Sequence, residues 1–192
     1  KAIFFLSRSV NDAKSIMRIL LVGINYSPEF VGAGKYNAEM IDWLARIGHD
    51  VRVVTTPPYY PKWRVLEGYS SRHYKLENNN GVKVYRCPLW VPEKVSGLKR
   101  ILHLLSFALS SAPVLISLIF WKPMVVLNVA PAIFTAPMAL AVARLSGAKA
   151  WLHIQDFEVD AAFDLGILRQ PLLKKLVLAI EAFLMRRFDR VS

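Results

Sequence analysis

The run HIQDFEVD places His153, Asp156, Glu158 and Asp160 within one short stretch, so one imidazole and three carboxylates are close along the chain. Carboxylates at this density can accept hydrogen bonds from sugar hydroxyls or take a proton in a group transfer. They can equally cap and charge a helix N-terminus, worth typically under ~1 kcal/mol each. Residue types alone leave these two readings level. Glu158 and Asp160 can share a face whether the segment is extended or opens a helix, whereas His153 and Asp156 need not point the same way. A metal site is disfavoured, because HxxD lacks a second His or Cys at ligand spacing.

A second chemical stretch is Gly32, Ala33, Gly34 and Lys35, which follows the apolar run from Arg18 to Ile24. The glycines remove two side chains where a helix would begin, so backbone N–H groups can face an anion with the helix dipole behind them. Two familiar phosphate motifs do not fit. A dinucleotide fingerprint needs Gly or Ala where Asn37 stands and an acid where Val54, Thr55 and Thr56 stand; a P-loop needs Gly at Glu29 and Ser or Thr at Tyr36. The third stretch is PPYYP, with Tyr59 and Tyr60 enclosed by Pro57, Pro58 and Pro61.

These stretches require elements to position them. Arg18 to Ile24 reads as a strand buried on both faces of a parallel sheet. Lys35 to Ile47 reads as a helix with Tyr36, Met40, Ile41, Leu44 and Ile47 on one face, ended by Gly48. Val51 to Thr55 is a second strand, completing a βαβ unit. Thr56 to Asn80 is expected to be an exposed, aromatic and basic loop, since its proline density excludes regular structure at its start. Gly81 to Cys87, Met124 to Asn128 and Ala150 to Ile154 are further strands, and an Ala-rich helix runs from Pro131 to Ser146. A last helix is expected from Pro171 to Phe188. Alternating strands and helices make an α/β fold with a doubly wound parallel sheet. In such a sheet ligands collect beyond the carboxyl ends of the strands, where GAGK, PPYYP and HIQDFEVD all fall.

Leu98 to Trp121 is long and apolar enough to suggest a membrane span. However, Lys99, His103, Ser106, Ser110 and Ser117 draw one polar stripe along it, and Pro113 interrupts it. The expected element is a buried crossover helix rather than a membrane span, and its basic entry at Lys94, Lys99 and Arg100 suits an anionic interface.

The chain has 192 residues, 54% of them hydrophobic, enough for one well-buried domain. A net charge of +11 points to an acidic partner: nucleic acid, an anionic lipid surface or a phosphorylated substrate. Without a basic run or a nucleic-acid module, nucleic acid is the weakest of these. The single cysteine, Cys87, excludes an intramolecular disulfide and fits a reducing compartment. Residues 1–16 form a leader of uncertain structure with too short an apolar region for a secretory signal, and 17–192 form the domain. The start at Lys1 and the closing FDRVS, which reads as a helix exit into a new strand, lead us to expect a piece of a longer protein.

From about Met17 to Ser192 the chain resembles the N-terminal half of a GT-B glycosyltransferase of family 4, of the colanic-acid exopolysaccharide type. The resemblance is carried by GINYSPEFVGAGKY, GHDVRVVTTPPYYPKW, YRCPLWVP, LKRILHLLSFALSS and LHIQDFEVDA, in this order. It implies a Rossmann-like, acceptor-side domain of a cytoplasmic enzyme at the inner face of the membrane. The implied reaction moves a sugar, with retention, from a nucleotide-diphosphate donor to a lipid-linked glycan acceptor. No tightly bound cofactor is implied, and the donor-binding C-terminal domain lies outside these residues. Gly32, Gly34 and Lys35 match the loop that approaches the donor diphosphate. Asp156 matches the acidic residue after the fifth strand, and Gln155 stands where the wider family often has His. His153, Gln155 and Asp156 are thus the catalytic candidates, with no base chosen among them. Tyr59, Tyr60, Glu158 and Asp160 are the acceptor-binding candidates. Two other readings compete: a non-catalytic Rossmann-like nucleotide-binding module, and a protein anchored in the membrane by Leu98 to Trp121.

Overall fold

The computed structural model describes residues 15–130, 133–155 and 171–192. The strands are β1 (Arg18–Val22), β2 (Asp50–Thr55), β3 (Lys75–Asn79), β4 (Val82–Arg86), β5 (Val125–Ala130), β6 (Lys149–Ile154) and β7 (Arg190–Val191). Among the described residues the α-helices are α1 (Gly32–Arg46), α2 (Gly97–Ile119), α3 (Ala136–Ser146), which a 3-10 turn Ile133–Thr135 precedes, and α4 (Pro171–Met185). All seven strands join one sheet in the order β3-β4-β2-β1-β5-β6-β7. Every pairing is parallel except that of β3 with β4. The sheet is therefore α/β and mostly parallel, as the alternation of elements predicts.

β1 is central and apolar because both its faces are covered. Ile19 and Leu21 point to the side of α1, where they meet Ile41, Leu44, Val51, Val53, Leu127 and Val129. Leu20 and Val22 point to the other side, against Phe107 and Leu115 of α2 and Leu140 of α3. Period-two alternation thus serves two apolar layers. Truncating Phe107, which is fully buried, to Ala would cost about 3–5 kcal/mol.

Three expectations need correction. The stretch Thr56 to Asn80 is not wholly an exposed loop: Lys75–Asn79 is an antiparallel edge strand, joined to β4 by a turn in which Asn80 and Gly81 both have positive φ. Asn-Gly is the pair that such a hairpin turn favours, but the polar KLENN before it carries no apolar alternation to mark a strand. Second, α1 begins at Gly32 rather than Lys35. Third, Tyr36 does not join the buried face of α1; it is 63% exposed, while Asn37, Ile41 and Leu44 are buried. A polar residue occupies the position where an apolar one was expected, because it has partners inside.

Among the described residues α2 is the one helix long and apolar enough to cross a membrane. Its His103, Leu104, Phe107, Ser111, Leu115 and Leu118 are nevertheless buried against the domain, as expected of a crossover helix. Its polar stripe has a local cause. The segment after β4 carries Pro88 and Pro92 and takes no ladder partner in the sheet, so its backbone groups must be satisfied elsewhere. Ser110 Oγ donates to the Pro88 carbonyl (2.6 Å), His103 Nδ1 donates to the Trp90 carbonyl (2.7 Å), and Trp90 N donates to Ser106 Oγ (3.0 Å). The opposite side of α2 exposes Leu98, Leu102, Leu105, Leu109 and Ile116.

Candidate functional site

The neighbours of β1 are β2 on one side and β5 on the other, so the order of the parallel strands reverses between β1 and β5. A crevice for ligands forms outside the carboxyl ends of the strands at such a point. The chain leaves β1 through Gly23, Ile24 and Asn25, enters α1 at Gly32, and leaves β6 at Gln155.

Gly32 has φ +59, a left-handed conformation that Gly adopts without cost. No side chain caps the N-terminus of α1, whose N-cap is Val31 and whose first turn holds no acid. Its first amides therefore lack intrahelical partners and face no fixed negative charge from their own turn. Gly34 has a different reason to be glycine. A Cβ there would stand 2.8 Å from both Cβ and Oε2 of Glu29. Lys35 extends into solvent and pairs with Glu39 at 3.8 Å rather than folding back over the loop.

Glu29 is the hub of this region. It is buried, its Oε1 accepts from the backbone N–H of Tyr59 and of Tyr60 (2.9 Å each), and its Oε2 accepts from Asn25 Nδ2 (2.9 Å). Burial pushes its carboxyl above the usual range, opposed by these hydrogen bonds and by Arg86. The glycine loop and the PPYYP loop are thereby tied through one side chain. Arg86 ties a wider set: its guanidinium donates to Glu77 Oε2 (3.0 Å), to the Thr56 carbonyl (3.0 Å) and to the Ser27 carbonyl. Thr55 and Thr56 hydroxyls both donate to the Ile24 carbonyl, which explains hydroxyls where a dinucleotide site would carry an acid.

A second network crosses the switch point. Asn37 Nδ2 donates to the Asn25 carbonyl (3.0 Å), and Gln155 Nε2 donates to Asn37 Oδ1 (3.0 Å). The carbonyl of Asn25 can only accept, so the direction of both amides is determined in turn. Gln155 Oε1 is left buried and, among the described residues, without a partner. Gly23 allows this close packing, since a Cβ there would already touch Val129 Cβ at 3.4 Å and Asn37 Nδ2 at 3.6 Å.

Of the catalytic candidates, Gln155 is thus at the crevice and joined to α1. His153 lies on the same face of the β6 extension but turns toward Ser192, with Nδ1 and Ser192 Oγ 3.1 Å apart. Burial holds its imidazole below the usual value, partly offset by a hydrogen bond with the Ser192 backbone. Asp156, Glu158 and Asp160 lie outside the described residues. Among the acceptor candidates, Tyr59 is only 6% exposed, its ring packed edge-on against Trp63 and His103. Tyr60 is partly exposed and lines a cleft of about 270 Å³ with Phe30 and Lys62. Glu29, Asn37 and Arg86 were not singled out from the sequence; the nearest signals are a Glu beside a glycine loop and an Asn inside an apolar helix face. Among the described residues no cluster of His, Cys, Asp and Glu could hold a metal.

Residues 31–192 match the family model described as glycosyl transferase 4-like domain. Over 151 residues, 79% of the chain, it is 54% identical to the Escherichia coli (strain K12) protein WcaI, whose name assigns it to colanic acid biosynthesis as a glycosyl transferase. The chain covers 37% of that protein's length. A solved structure, the glycosyltransferase SsfS6 of Streptomyces sp. SF2575, aligns over 72% of the chain and 39% of its own length, with 16% identity and a TM-score of 0.39.

Proposed function

The chain belongs to the glycosyl transferase 4-like family, and from that premise we propose that it forms the acceptor-side half of a two-domain GT-B enzyme of exopolysaccharide biosynthesis. The donor is a nucleotide-diphosphate sugar and the acceptor a lipid-linked glycan. In the transfer the anomeric C–O bond to the leaving diphosphate breaks and a bond to an acceptor hydroxyl forms, with release of the nucleoside diphosphate and a proton.

The observation that carries this reading is the network at the β1/β5 switch point. Gln155 Oε1 is a buried acceptor without a partner among the described residues, held by Asn37. A buried polar atom of this kind is costly unless a ligand supplies the missing donor, which a sugar hydroxyl does. The uncapped start of α1 lies on the same edge and suits the donor diphosphate. The catalytic role stays with His153, Gln155 and Asp156 as a group, and Gly32 and Gly34 shape the loop that the diphosphate approaches.

The same reading places the enzyme on the cytoplasmic side of the membrane as a peripheral protein. Support comes from the exposed leucines of α2, flanked by Lys94, Lys99 and Arg100. The test uses the full-length protein and a panel of nucleotide sugars with a lipid-diphosphate glycan acceptor. Transfer is expected from the wild type and is expected to fall by at least about tenfold in Gln155→Ala, the loss of roughly one charge-free hydrogen bond and its fixed geometry. No transfer with any donor, from folded protein with a confirmed acceptor, would overturn the reading. Alkaline carbonate should strip the protein from membranes; resistance would overturn its peripheral placement.

A further inference from the structure

Both hydrogen-bond networks at the strand ends pass through one residue. Asn25 donates from Nδ2 to Glu29 Oε2 (2.9 Å), and its backbone carbonyl accepts from Asn37 Nδ2 (3.0 Å). Glu29 continues on one side to the amides of Tyr59 and Tyr60, and Asn37 continues on the other to Gln155. A single line of polar contacts therefore runs from the PPYYP loop, through the loop before α1 and across Asn37 of α1, to the end of β6. Its links are 2.9 or 3.0 Å long, and Glu29 and Asn37 within it are buried.

The direction of every link is determined. The Tyr59 and Tyr60 N–H groups require an acceptor, which the Glu29 carboxylate supplies; Oε2 then requires a donor and selects the Nδ2 side of the Asn25 amide. At the other end the Asn25 carbonyl selects Nδ2 of Asn37, and Asn37 Oδ1 selects Nε2 of Gln155. Gln155 Oε1 is the atom left over, buried and without a partner among the described residues. Whether the crevice meets an acceptor or a donor at this position is thus decided at Asn25, two side chains away. Residues 23–31 form neither helix nor strand, so their backbone is held by such side-chain contacts rather than by a ladder.

We propose that Asn25 and Glu29 are positioning residues for the transfer, acting through Tyr60 and Gln155 rather than on the substrates. They hold the PPYYP loop and the Gln155 amide in one geometry, and a displacement of about 1 Å at such a site can cost about a hundredfold in rate. The proposal rests on the glycosyltransferase reading for the reaction being positioned.

The experiment compares the full-length wild type with Asn25→Asp, with Asn25→Asp combined with Glu29→Gln, and with Asn25→Ala. Asn25→Asp sets a second carboxylate against Glu29 where a donor stood at 2.9 Å. Adding Glu29→Gln returns an N–H to that contact, while the remaining amide oxygen keeps both tyrosine amides. Hydrogen exchange followed by mass spectrometry reads the loop directly, since Pro57, Pro58 and Pro61 carry no N–H and only the Tyr59 and Tyr60 amides exchange among residues 57–61. Transfer from a panel of nucleotide sugars to a lipid-diphosphate glycan gives kcat and donor KM.

Asn25→Asp should speed exchange at Tyr59 and Tyr60 by at least about tenfold and lower kcat by at least about tenfold, with donor KM within about threefold. The double variant should bring both back to within about threefold of the wild type. If Asn25→Asp alone does not fold, folding of the double variant is the same rescue. Asn25→Ala keeps the backbone carbonyl but leaves Glu29 short of a donor, and should lower kcat by about three- to tenfold with unchanged near-ultraviolet circular dichroism. A double variant no better than Asn25→Asp, or an unchanged kcat in Asn25→Ala, would overturn the proposal, because general loss of stability accumulates and does not reverse. Exchange that responds as expected in a protein that transfers no sugar from any donor would overturn the glycosyltransferase reading and leave the linkage of the loops standing.

Discussion

Gly34 and Glu29 compete for one volume: a Cβ on Gly34 would lie 2.8 Å from Cβ and from Oε2 of Glu29. Inside α1, where φ is ordinary for a helix, the glycine is required for the close approach of a buried carboxylate rather than for backbone freedom. That carboxylate then holds the Tyr59 and Tyr60 amides, so the absence of one methyl group on α1 determines how two loops of the site meet.

Gly34→Ala should destabilise the domain by about 1–3 kcal/mol, the usual cost of forcing atoms into a packed site. The clash includes the Glu29 Cβ, so only Glu29→Gly removes it. In a double-mutant cycle followed by denaturant unfolding, Gly34→Ala should cost less in the Glu29→Gly background than in the wild type. Additive effects would show that residue 34 does not press on Glu29.

Glu29 should also make stability depend on pH. Burial raises its carboxyl above the ordinary value of 4.5. A raised folded value means that the folded state binds the proton more readily, so this group favours folding more as pH falls toward the ordinary value, and less as pH rises through the raised one. Glu29→Gln lacks the titration. The melting temperature of the wild type relative to Glu29→Gln should therefore rise as pH falls from neutrality toward the ordinary value, and a difference constant over that whole range would contradict a raised carboxyl at Glu29.

Asn37 and Gln155 are 118 residues apart and bonded at 3.0 Å. Asn37→Ala should cost about 1–3 kcal/mol, because it also strips the Asn25 carbonyl of its donor. Asn37→Ala and Gln155→Ala should couple by at least about 0.5 kcal/mol in a double-mutant cycle. Coupling near zero would mean that α1 and the end of β6 are not joined through these amides.

Leu109 is 67% exposed on α2. Leu109→Ser should change stability by less than about 0.5 kcal/mol, as surface substitutions generally do. It should nonetheless lower sedimentation with vesicles containing anionic phospholipid. Equal sedimentation of wild type and variant would separate the apolar stripe from any membrane contact.

Much of the fold was legible because it rests on periodicity. The apolar runs of β1, β2 and β5 are mostly buried on two faces, and such runs mark themselves; β6 alternates buried Ala150 and Leu152 with half-buried Trp151 and His153. β3 escaped because an edge strand with the sequence KLENN needs no apolar residue on either side, and the Asn80-Gly81 turn was its one signal. On α1 the apolar pattern suggested Tyr36 for the inner face, where the structure has Asn37. On α2 the polar stripe was visible in sequence, but its direction was not: it faces the 88–90 segment and leaves leucines outside.

By itself, the amino-acid sequence determined the alternation of strands and helices, the mostly parallel sheet, the loops that follow the strand ends, and the motifs of a glycosyltransferase. Tertiary structure alone decided that Glu29 underlies Gly34, that Tyr59 is buried while Tyr60 reaches solvent, that Asn37 holds Gln155, and that Lys62, Arg64 and Arg72 share a cavity with two indoles. The reason is physical. Local pattern follows from the period of a single element, which neighbouring residues specify, whereas the partner of a buried polar group comes from whichever distant element packs against it, and only the folded chain supplies that geometry.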